Sequence, residues 1–427
     1  MFKKILDLKV QYQDKYILAA NYLFIVYAFF LPIYAKPVKT IFGMVLVLFL
    51  LSGNIKEKLL FAFKDKVVQA FLLFVLVHLI WILGSENLEM AVFKLKELKY
   101  VLYMIVFIAV IRKDFIYKIL TGFLLGIFFS EIVSYLMLFD IRIPYLVYTG
   151  YGVNVPFMET FTQYSTVLSI SLGILLYGIV TKKQKLWVKI IYVMFFISAS
   201  SNIFIIQSKL GYGLYAISIL TVTAMIMIKY KKYFMLPVSL VLIFGGYFIA
   251  YNTSDIFHNR VNDFFNQTEA AIDKQNYYTS TGARVGFYVY SYEIMKENFL
   301  FGVGAGDHIG EFKNYVKEHE TNKKNIHSMY ENTKNGEYAS LHSEFLDNTL
   351  QFGIIGLLVF LNIFYQLLRY PYDDHYMKVV QIIFIVILLS VSSVSLVFLY
   401  AKLKNIFIFL SALTLMHYHN EKRLKLL

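Results

Sequence analysis

Leu341-His342-Ser343-Glu344-Phe345-Leu346 closes a long polar run, Asn252 to His342, and opens an apolar block at 345–368. Water-soluble sequence ends there and membrane-like sequence begins, so the histidine and the arginines behind it stand at a boundary between water and lipid. Before Asn252 the chain is a succession of apolar blocks broken by short charged connections. Blocks of about 17–25 apolar residues cross a bilayer as helices, because a helix satisfies its own backbone where lipid offers no partner. A barrel would need strict alternation, which the sequence does not have.

Composition agrees. Of 427 residues, 58% are hydrophobic and only 16% charged, with a mean hydropathy of +0.59; soluble domains carry roughly a quarter charged residues. The absence of cysteine removes disulfides, thiolate catalysis and zinc-thiolate sites. Met1-Phe2-Lys3-Lys4 begins a short basic leader, but no small-residue cleavage site follows the first apolar block, so the expectation is a retained helix.

About twelve candidate spans follow, near 16–35, 37–53, 67–84, 97–111, 119–139, 161–180, 188–206, 210–228, 234–251, 345–368, 379–400 and 405–419. The expected fold is all-α: a polytopic integral membrane protein with transmembrane helices in 1–251, one large helical loop at 252–344, and three further spans in 345–427. Lysine and arginine concentrate in alternate short connections, including Lys56, Lys58, Lys64, Lys66, Lys182, Lys183, Lys185, Lys189 and the tail Lys422, Arg423 and Lys425. By the positive-inside rule both termini are then cytoplasmic and the long loop faces out. The net charge of +13 is thereby explained by topology, and no nucleic-acid partner is expected.

Within the loop, Ile309, Phe312, Tyr315 and Val316 fall on one helical face behind Asp307, a candidate cap, and Ala283 to Asn298 has a similar apolar side. Two amphipathic helices lying on or near the membrane surface are expected. Between them Phe301-Gly302-Val303-Gly304-Ala305-Gly306-Asp307 either makes a tight turn or brings backbone amides such as that of Gly304 to an anion.

Arg284 is the first candidate site residue, because a guanidinium fork grips phosphate oxygens bidentately; its bland alternative is a headgroup contact. His342 can accept a proton from an attacking hydroxyl near neutral pH, or simply end a helix. Lys209, in a very short outer connection, can be a second phosphate anchor or a lysine snorkelling to headgroups. His308, His319 and His327 are expected to be solvated. His78 and Glu131 are isolated ionisable groups inside spans, which keeps a transporter in view. The Asp373-Asp374 pair lies on the cytoplasmic side, and no outer-loop spacing suits a metal.

Taken together, Gln207-Ser208-Lys209-Leu210-Gly211 before a helix, Arg284 opening a helix, Glu297-Asn298-Phe299-Leu300-Phe301-Gly302-Val303-Gly304, His342-Ser343 with Leu346, and Gly353-Ile354-Ile355-Gly356-Leu357 resemble the O-antigen ligase and polymerase superfamily. That resemblance implies a bacterial inner-membrane glycosyltransferase whose large periplasmic loop carries a catalytic histidine at its end. It would take a glycan from an undecaprenyl diphosphate-linked donor and join it to an acceptor hydroxyl, without metal or other cofactor. The acceptor in the ligase branch is lipid A-core. By position, His342 would be the general base, and Arg284 and Lys209, with the backbone at Gly304, would hold the diphosphate. A single displacement inverts the anomeric carbon, and the diphosphate leaves as a stabilised anion without needing an acid. Two departures stand out: Lys209 occupies a position usually arginine, and Phe299 one usually proline.

An O-antigen polymerase extending lipid-linked glycan uses the same donor. The arginine and glycine spacing associated with some polymerases is not met at Arg142, Arg260 or Arg284, which favours the ligase branch. A secondary transporter or flippase would fit the helix count but would place its groups at the bilayer midplane.

Overall fold

The structure, a computed structural model, describes residues 2–150, 154–333, 339–372 and 374–423; Asp373 and Lys425 lie outside them. Among the described residues the chain is helices joined by turns, with no strand. Eight helices are long and apolar enough to cross a membrane: Lys66–Gly84, Lys113–Leu138, Phe161–Thr181, Leu186–Ile205, Lys209–Tyr230, Met235–Thr253, Glu344–Arg369 and His375–Ser392. A ninth arises if Ala35–Leu51 and Ile55–Phe63, bent by 117°, count as one span.

The expected twelve is therefore not reached by length and composition. The fourth expected span, 97–111, holds a 3-10 turn at Leu98–Tyr100 and only a short helix, Val101–Val110, after the separate Leu88–Glu97 helix, with Lys94, Lys96, Glu97 and Lys99 around the interruption. The eleventh ends at Ser392; residues 393–400 turn back instead, and Ser395 to Phe398 are buried. Glu344 supports that non-helical backbone by accepting from the amides of Val397 at 2.8 Å and Phe398 at 3.3 Å. Irregular backbone at membrane depth survives only where protein satisfies it in this way.

Small residues let the helices approach. Gly122 and Gly126, one turn apart, face Ile25 and Phe29 of the Phe2–Phe30 helix, and a Cβ on either glycine would strike a backbone carbonyl of that helix. In the same manner Gly173 lies against Ser218, whose hydroxyl donates to the Ser169 carbonyl at 2.7 Å. These contacts join the Phe161–Thr181 and Lys209–Tyr230 helices, whose N-terminal ends line the cavity described below.

The long loop contains the helices Asp255–Asp273, Ser280–Glu297, His308–His319 and Lys323–Thr333. The second and third are the two helices expected to be amphipathic, and their apolar sides meet each other. They pack on each other through Phe287 and Phe312, ring centroids 5.5 Å apart, in a separate core with Ile294, Val316, Met329 and Leu346. The Glu344–Arg369 helix belongs to both bodies. Gly353, with φ 64° and ψ −160°, interrupts it; Leu346 and Leu350 on one side enter the loop core, while Phe360 and Ile363 on the other enter the membrane core. Val303 and Gly304 donate to the freed carbonyls of Leu350 and Gln351 at 2.7 and 3.1 Å, and Ile354 donates to Phe299 at 2.9 Å.

Candidate active site

Two helices begin at one cavity. The Lys209–Tyr230 helix is capped by Ser208, which accepts from the Gly211 amide at 3.0 Å and bonds Ser165 at 2.9 Å. Thr279 caps the Ser280–Glu297 helix through the Gly282 amide at 3.0 Å. Between them opens a cavity of about 390 Å³ lined by Lys209, Arg260, Arg284, Ser280, Thr281 and Phe264, among others; none of its lining side chains among the described residues is acidic, although Asp263 is near enough to act on Lys209. Three cations and two helix N-termini with their partial positive charge make it a receptor for an anion.

Each cation is oriented. Lys209 Nζ donates to Gln267 Oε1 at 2.9 Å and Thr281 Oγ1 at 3.0 Å, which ties together the starts of both helices. Arg260 Nη2 donates to Gln207 Oε1 at 2.9 Å, and Arg284 Nη1 to the Ser280 carbonyl at 2.7 Å. Arg284 stays open to solvent on one side, yet crowding by protein lowers its pKa, opposed by nearby Tyr400. An arginine starts so far above neutrality that its charge is kept.

A second cavity of about 680 Å³ shares Lys209, Gly213, Arg260 and Phe264 with the first and is otherwise lined by apolar and aromatic residues, including Tyr247, Phe248, Phe257 and Phe265. Arg260 thus sits where a cationic chamber meets an apolar trough.

His342 is half-buried and is not among the residues lining the cationic chamber. Its ring lies 5.8 Å from Phe287, one helical turn beyond Arg284. Nε2 stands 3.0 Å from the Asn332 carbonyl, which can only accept, so Nε2 carries a proton. The next residue, Ser343, meets Tyr288 at 3.2 Å; Tyr288 also donates to the Ser393 carbonyl at 2.5 Å, next to the cavity wall at Val394.

The structure brings Lys209 and Arg284 into one cavity and sets the His342 ring against Phe287, one turn along the helix from Arg284. Gly304 is elsewhere: its amide is committed to Gln351, and its segment packs against Trp81 and Ser85, so the glycines serve a tight junction. Asp307 does not cap its own helix; its carboxylate accepts from the amides of Glu86 at 3.1 Å and Asn87 at 2.7 Å, ahead of the Leu88–Glu97 helix. His308 is not solvated but fully buried, 3.3 Å from Lys94 and 3.6 Å from Asp347. His78 and Glu131 are buried away from the cavity; His78 donates to the Phe74 carbonyl at 2.9 Å.

Sequence reasoning missed Arg260 as a site residue, and Gln267. Both lie on the Asp255–Asp273 helix, whose signal was present in the spacing of Phe257, Val261, Phe264 and Phe265. Among the described residues, no group of three or more histidine or acidic side chains could hold a metal ion.

Compared with known families, residues 194–361 match the family described as O-Antigen ligase. No curated protein matches the chain. The matched segment spans the caps, cations and His342 just described. With the apolar helices, it supports a bacterial multi-pass membrane glycosyltransferase of O-antigen ligase or polymerase type, acting on lipid-linked glycan and an acceptor.

Proposed function

With residues 194–361 belonging to the O-antigen ligase family, we propose that the protein transfers a glycan from undecaprenyl diphosphate to a lipid A-core hydroxyl on the periplasmic side of the inner membrane, with inversion and without metal. One observation carries this reading: a chamber with three cations and two helix starts, sharing its wall with an aromatic-lined trough. A diphosphate with an attached polyprenyl chain has that same division of charge and apolar surface.

In the reaction, His342 takes the proton of the acceptor hydroxyl as the hydroxyl oxygen bonds to the anomeric carbon. The bond from that carbon to phosphate oxygen breaks, and the electron pair leaves with undecaprenyl diphosphate. Arg284 stabilises the charge that grows on the sugar-side phosphate. Arg260, at the mouth of the trough, holds the lipid-side phosphate by its fork. Lys209 adds a point charge and keeps the two helix starts together.

The test is reconstitution of the purified protein with lipid-linked oligosaccharide and lipid A-core, with and without chelator, reading products by mass. The expected product is lipid A-core carrying one donor glycan of unchanged length, insensitive to chelator, and lost in His342→Ala and Arg284→Ala at normal protein levels. Elongated lipid-linked glycan would replace the ligase reading with polymerase. Full transfer by both variants would overturn the site.

A further inference from the structure

The geometry points to Asp347 as the residue that positions His342, acting through a buried cluster with Lys94 and His308. Its catalytic consequence rests on His342 being the base proposed above; its structural consequence does not.

Asp347 lies in the first turn of the Glu344–Arg369 helix and is buried. Its Oδ1 accepts from the Leu341 amide at 2.9 Å, and its Oδ2 stands 3.0 Å from Lys94 Nζ and 3.6 Å from His308 Nε2. Three distant pieces of chain meet at that carboxylate: the Leu88–Glu97 helix, the start of the His308–His319 helix and the segment leading to His342. Burial first, and then the Lys94 charge, lower the His308 pKa. The neutral imidazole therefore accepts from the ammonium at 3.3 Å and leaves the carboxylate to Lys94 and the Leu341 amide.

A buried ion pair is poor evidence for stability as such, since desolvation cancels much of its attraction. What this one fixes is a backbone position. His342 has a φ of 53°, left-handed and sparsely populated for a residue with a side chain; such a conformation costs on the order of 1–3 kcal/mol and persists only when its surroundings hold it. One restraint precedes it, at the Leu341 amide. Another follows, at Ser343, which caps the helix by accepting from Leu346 at 3.3 Å. Release of the first lets the segment relax to ordinary φ and swings the imidazole from its place between Phe287 and Asn332.

Two double variants separate this role from charge burial. Asp347→Asn with Lys94→Met removes both charges but keeps an oxygen for the Leu341 amide; Asp347→Leu with Lys94→Met removes both charges and the oxygen. In full-length reconstituted protein, the asparagine pair keeps most of kcat. The leucine pair loses roughly a hundredfold of kcat, the scale of an ångström-sized misplacement, with donor KM unchanged. Site-resolved modification of His342 by diethylpyrocarbonate changes in the leucine pair alone. Should the leucine pair not fold, Asp347→Ser with Lys94→Met, whose hydroxyl is too short to reach the amide, gives the same comparison. Equal kcat and equal His342 modification in the two pairs would overturn the proposal, as would a loss confined to KM. Altered modification with an unaltered transfer rate would support the positioning role and reject His342 as the base.

Discussion

Replacing Arg260 with glutamine isolates the contribution of a residue whose fold role is modest and whose place in the cavities is central. Arg260 is half-buried and donates to Gln207 at 2.9 Å; a bond of that kind contributes about 1 kcal/mol to stability. Against a bound phosphate the stakes are larger. Two unit charges 4 Å apart interact by about 4 kcal/mol at an effective dielectric of 20. Solvent reaching Arg260 screens part of that, leaving about 1.5–3 kcal/mol, the range of a hydrogen bond to a charged group. At about 1.4 kcal/mol per tenfold, donor KM rises roughly 10- to 150-fold. Because the lipid-side phosphate is bound alike in substrate and transition state, kcat changes little. Arg260→Lys restores charge without the fork and recovers only part of the loss. The assay is initial transfer rate against lipid-linked donor concentration in proteoliposomes, at two ionic strengths, the higher salt narrowing the difference. Donor KM within threefold of the unaltered protein, at normal expression, would refute the assignment of Arg260 to the phosphate.

Gly353→Ala destabilises the protein by about 1–3 kcal/mol, because φ is 64° there and a Cβ would strike the Leu300 backbone; a lowered melting temperature in detergent checks this. The buried His308 gives a pH signature. Its pKa is lowered in the folded protein from an ordinary value near 6.5, so the unfolded chain binds the proton more readily and stability falls as pH drops below that ordinary value, continuing until the folded pKa is passed. Melting temperature should therefore decline on acidification from pH 7, with a shallower decline in His308→Gln; identical slopes would remove His308 as the cause.

The membrane class was legible because apolar block length is a direct physical requirement of the bilayer. The central helices, Phe161–Thr181 and Lys209–Tyr230, begin within a residue of where the apolar pattern starts. What escaped was tertiary. Charges around Glu97 marked the fourth span as unusual, but only packing shows that Glu97 meets Lys404 at 2.5 Å, far along the chain, and that the helix breaks beside it. His308 looked like a solvated residue because local sequence gives no sign of Lys94 and Asp347 arriving from elsewhere. Arg284 and Lys209 were readable from helix starts. Arg260 was not, since it gains meaning only from the two cavities it separates.

The interruption at Gly353 sews the loop body to the membrane bundle largely through peptide groups. At residue 299 the seam asks for a carbonyl oxygen, given to Ile354, and proline owns one as surely as phenylalanine does. The chain can therefore carry Phe299 where the sequence resemblance led us to expect proline, without unpicking the joint. The glycines flanking the seam have no such latitude: a Cβ on Gly302 would strike the backbone of Leu350 and Gln351, and a Cβ on Gly353 that of Leu300 and Phe301.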